Sequence, residues 1–275
     1  MRNDAWWNET PYLRPIIEIL DEYERYGVIL TDREHGRLFT VYQGEIEEHQ
    51  ETFAGADVTH RKSAGLDHLL SQMNNQRKAD IHAHWHLKKI ADLMSHLVNV
   101  HEFDRLILAG PLEATSHLYG LLPERLRSRV VRQISLSVKD SEALVLEETL
   151  KVAQEVEREC EAEKVEELIT AAAKHQKAVV KLGATLRALQ EWRVWQLVYA
   201  EGFAPPGSQC TNCGALFAEL KDACDYCGKP VREISDLIEQ ADKSVLEADG
   251  KVEQVHGTAA SRLQEVGSIG AFLRF

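Results

Sequence analysis

Apolar positions along this chain recur in two periods, and the alternation between them sets out the elements. Tyr12, Ile16, Ile19, Leu20 and Tyr23 stand at helical spacing, which predicts a short helix over 12–25 closed by Gly27. Three short extended runs follow at 28–32, 37–43 and 45–52, punctuated by His35-Gly36 and Gly44, as a β-meander. After a polar loop over 54–65, a helical stretch runs over 66–100 through Leu66, Leu69, Leu70 and Met73, then Ile81, Trp85, Ile90, Leu93, Met94 and Leu97. Asn74-Asn75 interrupts it with two weak helix formers, which predicts a break.

Phe103-Asp-Arg-Leu-Ile-Leu-Ala109 reads as a buried strand ending at Gly110-Pro111. Helical pieces at 113–120 and 123–128 and a strand over 130–137 complete a first α/β domain. The longest helical pattern covers 140–180, with a stripe through Leu146, Leu150, Ala153, Val156 and Cys160 and a stop at Gly183. Beyond it the pattern predicts a helix at 184–191, a strand at 194–199, a loop at 202–209, a helix at 232–247, a strand at 251–256 and a terminal strand at 269–275. The reading is two α/β domains. Residues 1–26 form a helical extension, 27–138 the first domain and 139–275 the second, which carries an insert at 205–230.

That insert holds the strongest local signal. Cys210-Thr-Asn-Cys213 and Cys224-Asp-Tyr-Cys227 are two Cys-x2-Cys pairs ten residues apart, each followed by glycine. Such pairs suit one tetrahedral Zn²⁺ with four thiolates, a structural site with no open position. Two redox dithiols or disulfides are the other reading of the same residues. The fifth cysteine, Cys160, stands alone in a helical pattern as an inert thiol.

Composition adds bounds. With 44% hydrophobic and 28% charged residues, the chain reads as an ordinary globular protein. No apolar run reaches membrane-span length, and the thiols fit a reducing cytoplasm. The net charge of −12 excludes a protein that binds nucleic acid through its overall charge, but the charge is unevenly placed. Residues 60–89 carry six Lys/Arg against two Asp, a balance of +4, and residues 140–170 carry eleven Asp/Glu against three Lys/Arg, a balance of −8. The basic segment supplies candidate phosphate contacts: His60, Arg61, Lys62, Arg77, Lys78, Lys88 and Lys89. Arg125, Arg127, Arg129 and Arg132 form a second basic cluster, which reads equally as a salt-bridged helix surface. His82, His84 and His86 read as rings on a solvated or RNA-facing helix surface rather than as metal ligands, since only His82 and His86 share a face. Neither a P-loop nor a G-x-G-x-x-G loop is present.

Several stretches resemble the archaeal–eukaryotic class-1 peptide-chain release factors and their bacterial archaeo-eukaryotic release factor relatives, in the superfamily of Pelota. Asp32-Arg-Glu-His-Gly-Arg-Leu-Phe39 with Gly44-Glu-Ile-Glu47 resembles the opening of the family's middle domain. Gly183-Ala-Thr-Leu-Arg-Ala-Leu189, the cysteine ribbon and Val266-Gly-Ser-Ile-Gly-Ala-Phe-Leu-Arg-Phe275 resemble its third domain. The resemblance covers about residues 25–275 and implies a middle-domain-like and a C-terminal-domain-like α/β domain, with the zinc ribbon inserted in the second. It also implies a translation-related factor of rescue or hibernation type that binds the ribosome through rRNA or tRNA. Family release factors hydrolyse peptidyl-tRNA with a Gly-Gly-Gln loop, in which two glycines permit close backbone approach and the Gln amide stabilises developing negative charge. This sequence has no Gly-Gly dipeptide; Gln72 and Gln76 are the candidates for a hydrolytic role, and Gly207-Ser208-Gln209 lies in the wrong domain. Three functions stand side by side: a binding factor that does not cleave, a rescue hydrolase using Gln72 or Gln76, and a stress-related interaction module whose acidic helix at 140–170 recruits a protein without ribosome contact.

Overall fold

The computed structural model describes residues 24–49 and 70–275. The helix expected over 12–25 lies outside the described residues up to 23, and Glu24 and Arg25 are not helical. Gly27 does not cap a helix: it sits inside strand β1 (Tyr26–Thr31), where a Cβ would come within 2.7 Å of the Phe103 ring. Glycine is needed there because the strand passes flush against an aromatic side chain, not because the chain turns.

β1 is buried at all six positions and pairs antiparallel with β2 (Gly36–Tyr42), which pairs antiparallel with β3 (Glu45–Glu48). On its other edge β1 runs parallel to β4 (Arg105–Ala109), which runs parallel to β5 (Val130–Ile134). The sheet order is β3-β2-β1-β4-β5. Helix α1 (Leu70–Val100) lays Leu87, Ile90, Ala91, Met94 and Val98 into the core with Ile29, Leu38, Leu106 and Leu108. Helices α2 (Leu112–Leu121) and α3 (Glu124–Arg127) add Leu118, Leu122 and Leu126 around that core. At Gly110, φ +144, a Cβ would stand 2.0 Å from the Thr31 carbonyl oxygen, so the turn from β4 into α2 requires glycine.

The break expected at Asn74-Asn75 is absent, and α1 is helical through both residues. Each Asn costs under about 0.7 kcal/mol relative to Ala, and propagating a helix already nucleated on both sides outweighs that. Among the described residues no helix is long and apolar enough to cross a membrane.

Helix α4 (Glu142–Ala173) contributes to both compact units of the chain. The first unit ends at Val156 and the second runs from Glu157 to Phe275, so the division falls inside this helix, whereas the sequence places it at 138/139. The helix ends at Ala173 rather than 180, and a strand missed in the sequence, β6 (Ala178–Val180), follows it. Gly183 lies within the next helix, α5 (Leu182–Gln190), and ends nothing.

The second unit is built on β7 (Val194–Ala200), β11 (Lys251–Val255) and β12 (Ile269–Leu273), in the order β11-β7-β12-β6. One face packs α5 and α6 (Leu237–Glu247) through Leu186, Leu197, Tyr199, Ile238 and Val245. The other packs α4 and α7 (Gly257–Gln264) through Val165, Leu168, Val198, Ala260 and Leu263. Two elements differ from expectation here. The helix expected over 232–247 is a strand, β10 (Val231–Ile234), followed by α6 with Asp236 as its N-cap, whose carboxylate accepts from the Ile238 amide at 2.8 Å. Helix α7 was missed, being only 8 residues long.

Candidate metal centre and basic surface

Strands β8 (Gly207–Cys210), β9 (Leu216–Phe217) and β10 form a small antiparallel sheet in the order β10-β8-β9. The decoy tripeptide Gly207-Ser208-Gln209 is part of β8, with no exposed loop. Each Cys pair forms a knuckle. The Asn212 and Cys213 amides point at Cys210 Sγ, at 3.4 and 3.5 Å, and the Tyr226 amide points at Cys224 Sγ at 3.4 Å. Gly214 (φ +74) and Gly228 (φ +66) close the two turns in the left-handed region.

Cys210 and Cys227 bring their sulfurs to 3.4 Å, Cys213 and Cys224 to 3.5 Å, and all four lie within 4.8 Å of one another. A disulfide requires about 2.05 Å, so these sulfurs converge without bonding. Zn–S bonds of about 2.3 Å in a tetrahedron put sulfurs about 3.8 Å apart, which this cluster spans. The Cys213 amide, aided by that of Asn212, draws the Cys210 thiol down to about 6, although its partial burial opposes this. Cys213 goes the other way, to about 12: the Ala215 amide favours its thiolate, but burial and the neighbouring thiols outweigh it. Without a cation the four sulfurs cannot all ionise together, and a divalent ion removes that conflict. Cys210, Ala215, Phe217 and Cys224 form the ribbon's own small core, with Tyr226 stacked on Phe217 at 6.0 Å. Cys160 is half-buried on α4, away from the cluster.

The basic segment is only partly described. His60, Arg61 and Lys62 lie outside the described residues. Arg77 and Lys78 lie on α1, as do Gln72 and Gln76, with side chains outside the described part. From Leu70 onward the backbone is helical, so neither Gln72 nor Gln76 stands in a loop. In an α-helix the Gln76 amide is given to the Gln72 carbonyl, which removes it as a donor to an external oxyanion. Lys88 and Lys89 are exposed, and Lys88 lies 5.6 Å from the centre of the exposed Trp85 ring.

The three histidines of α1 part company. His82 is exposed, but His86 is 2% exposed and belongs to the interior, which corrects its expected place on a solvated or RNA-facing surface. His84 Nδ1 stands 3.1 Å from His117 Nε2, the rings stacked. His117, on α2, carried no signal in the sequence because its partner lies 33 positions away. Of the second basic cluster, Arg127 bonds Glu124, Arg129 bonds the Phe103 carbonyl and Arg125 the Ser95 carbonyl, so these three cations serve the fold.

The acidic helix is also engaged internally. Glu147 and Glu148 pair with Lys151, Glu166 with Arg262, and buried Glu161 with Arg158 and His256.

Two mixed α/β units, the second bearing a four-cysteine ribbon, share the fold of Pelota and its relatives. S. cerevisiae Dom34, a translation termination-like factor involved in RNA quality control pathways, is 11% identical, with a TM-score of 0.50 over 94% of this chain and 64% of that one. Archaeal Pelota from a ribosome-bound complex with ABCE1 is 14% identical, with a TM-score of 0.51 over 90% of this chain and 61% of that one. The chain thus spans less than two thirds of either relative. Comparison with curated proteins gave no match. The chain belongs to bacterial archaeo-eukaryotic release factor family 10, whose family profile matches residues 11–154.

Proposed function

We propose that the protein is a translation-related factor that binds the ribosome, through rRNA or tRNA, without cleaving peptidyl-tRNA, in a rescue or hibernation role in the cytoplasm. Membership of the release-factor family over residues 11–154 carries the reading. The absence of any Gly-Gly dipeptide and the helical state of Gln76 favour binding over hydrolysis. Losing one placed oxyanion donor typically costs about 10²–10³ in rate. His60, Arg61, Lys62, Arg77, Lys78, Lys88 and Lys89 are the proposed phosphate contacts, with Lys88 and Lys89 exposed on α1. We also propose that Cys210, Cys213, Cys224 and Cys227 hold one structural Zn²⁺, whose role is to fix the ribbon where its small core is insufficient.

The test is co-sedimentation with ribosomes across a salt series, beside a peptide-release assay on peptidyl-tRNA complexes. Binding should fall as salt rises, and Lys88→Glu with Lys89→Glu should weaken it and flatten the salt dependence by about 0.7–0.9 per lost phosphate contact. Absence of sedimentation at low salt would overturn the reading in favour of an interaction module. Peptide release by the native chain, abolished by Gln72→Ala or Gln76→Ala, would replace it with a hydrolase.

A further inference from the structure

The C-terminal end of α5 is closed by a Schellman motif: the Trp192 amide donates to the Leu189 carbonyl at 3.0 Å, and the Arg193 amide to the Ala188 carbonyl at 3.0 Å. The residue that must turn left-handed in this motif is ordinarily glycine. Here it is Trp192, at φ 57, and its large ring is 63% exposed. The position thus carries the local cost of a bulky side chain in the left-handed region and returns little burial. Gly214 and Gly228 occupy the left-handed positions that close the neighbouring knuckles, whereas here a bulky indole does.

Trp192 also borders a cavity of ≈ 220 Å³ inside the second unit, between α5, α6 and the ribbon. That volume lies below the range of about 300–1,000 Å³ typical for drug-sized ligands and suits a single planar ring system. Its polar lining is dominated by amides: Gln190, Gln209 and Gln240, with Lys243, Ser244 and Glu247. Arg232 donates to Gln209 Oε1 at 2.9 Å, and Gln209 donates to Gln240 Oε1 at 3.4 Å, which orients the two amides. Further aromatic–cation pairs follow along the same unit, with Lys251 5.3 Å from the Trp195 ring and Arg193 5.9 Å from the Phe275 ring.

We propose that this cavity is a nucleobase pocket for single-stranded RNA. The base stacks on Trp192, its edge is met by the amides of Gln190 and Gln240, and the adjacent phosphate is met by Lys243. Amides present donors and acceptors side by side, as base edges do, and an exposed indole offers a face to which any base can stack. A protein partner would call for a mainly apolar lining, whereas here polar side chains outnumber the leucines Leu189 and Leu216. The inference rests on the proposed role in translation, but it assigns RNA contact to the second unit, outside the basic segment.

The experiment is anisotropy of labelled single-stranded oligoribonucleotides with the intact, zinc-replete chain, beside ribosome co-sedimentation of the same samples. Trp192→Ala should weaken oligonucleotide binding about 10- to 100-fold. Trp192→Phe, which keeps a stacking face, should stay close to the native affinity. Trp192→Gly should bind as poorly as Trp192→Ala yet melt no lower than the native chain, because glycine relieves the left-handed position; this separates loss of a contact from loss of the fold. Lys243→Gln should lower the salt slope by about 0.7. No oligonucleotide binding by the native chain, or equal affinity for Trp192→Ala, overturns the pocket. If ribosome sedimentation persists in either case, only this inference fails; if it is lost as well, the reading of function fails with it. An effect of Trp192→Ala on binding a ribosomal protein, with oligonucleotide binding unchanged, also overturns it.

Discussion

Replacing Glu161 by Ala tests the most heavily bonded buried charge in the second unit. Glu161 is 2% exposed and accepts from the His256 amide at 3.0 Å, His256 Nδ1 at 2.9 Å and Arg158 Nη1 at 2.7 Å. It therefore ties α4 to the junction of β11 and α7. Arg158 is partly exposed, so its share of the pair is small. The two bonds to His256 dominate, and hydrogen bonds to a charged group are worth about 1.5–3 kcal/mol each, with non-additive sums. Removing the carboxylate also leaves a buried amide without its acceptor. The expected loss is about 3 kcal/mol, within the range for breaking a buried pair from one side, and a fall of about 10 °C in the melting of this unit. The effect should depend on pH. The hydrogen bond to Glu161 raises His256 above its ordinary 6.5 despite the opposing burial, so its contribution is full below about 6.5 and lost as pH rises through the elevated value. Burial pushes Glu161 upward, but the bonds from His256 and Arg158 outweigh it and leave it below the ordinary 4.5, so its contribution is full above about 4.5 and lost as pH falls through the depressed value. The native-minus-mutant difference should therefore be largest between about pH 4.5 and 6.5. Calorimetry across pH, with hydrogen exchange over 251–264, reads this directly. A melting shift under about 2 °C, or a difference independent of pH, would refute the reasoning.

Cys213→Ser should reduce bound metal from about one ion per chain toward zero and raise hydrogen exchange over 207–234, while the melting of the first unit stays as in the native chain; elemental analysis beside exchange mass spectrometry checks both. Gly207→Ala should destabilise the second unit by about 1–3 kcal/mol, since the new Cβ would meet the Phe217 carbonyl oxygen at 2.4 Å and buried Leu237 at 2.6 Å. Its melting curve and zinc retention are the measurements, and an unchanged melting point would show that β8 can shift away from α6.

What the sequence revealed was what neighbouring residues decide among themselves. The knuckles at Cys210–Gly214 and Cys224–Gly228 are closed by their own amides, so spacing alone predicted the convergence of sulfurs. The meander was legible because Gly36 and Gly44 stand at its turns and its first two runs are rich in apolar and aromatic residues. Glycine misled where its role is tertiary: Gly27 makes room for Phe103, and Gly183 is an ordinary helical residue. β6 escaped notice because three residues carry no periodic signal and its partner in β12 lies about 90 positions on. Trp192 carried no signal in the sequence, because neither its exposure nor its left-handed backbone is written in any pattern.

The charge distribution explains how a chain of net charge −12 can be read as an RNA-contacting factor. Charges separated by more than about 10 Å are largely screened at ordinary ionic strength, so local groups decide what a phosphate meets. On α4 four of the carboxylates are paired, Glu147 and Glu148 with Lys151 and Glu166 with Arg262 at the surface, and Glu161 with Arg158 and His256 in the interior. Glu253 on β11 is likewise paired with Lys164. Of these, buried Glu161 and Glu253 brace the second unit and present little charge to solvent. By contrast, Lys88 on α1 lies over an aromatic ring, and Lys243 lines a polar cavity beside another. Lys88 stands beside exposed Trp85, and Lys243 lines the cavity that Trp192 borders, the combination of cation and ring suited to a phosphate and its base. The family match ends at residue 154, within two residues of the end of the first compact unit. The second unit is thus tied to its relatives by fold, and the chemistry of its ribbon and of Trp192 must be tested on this chain itself.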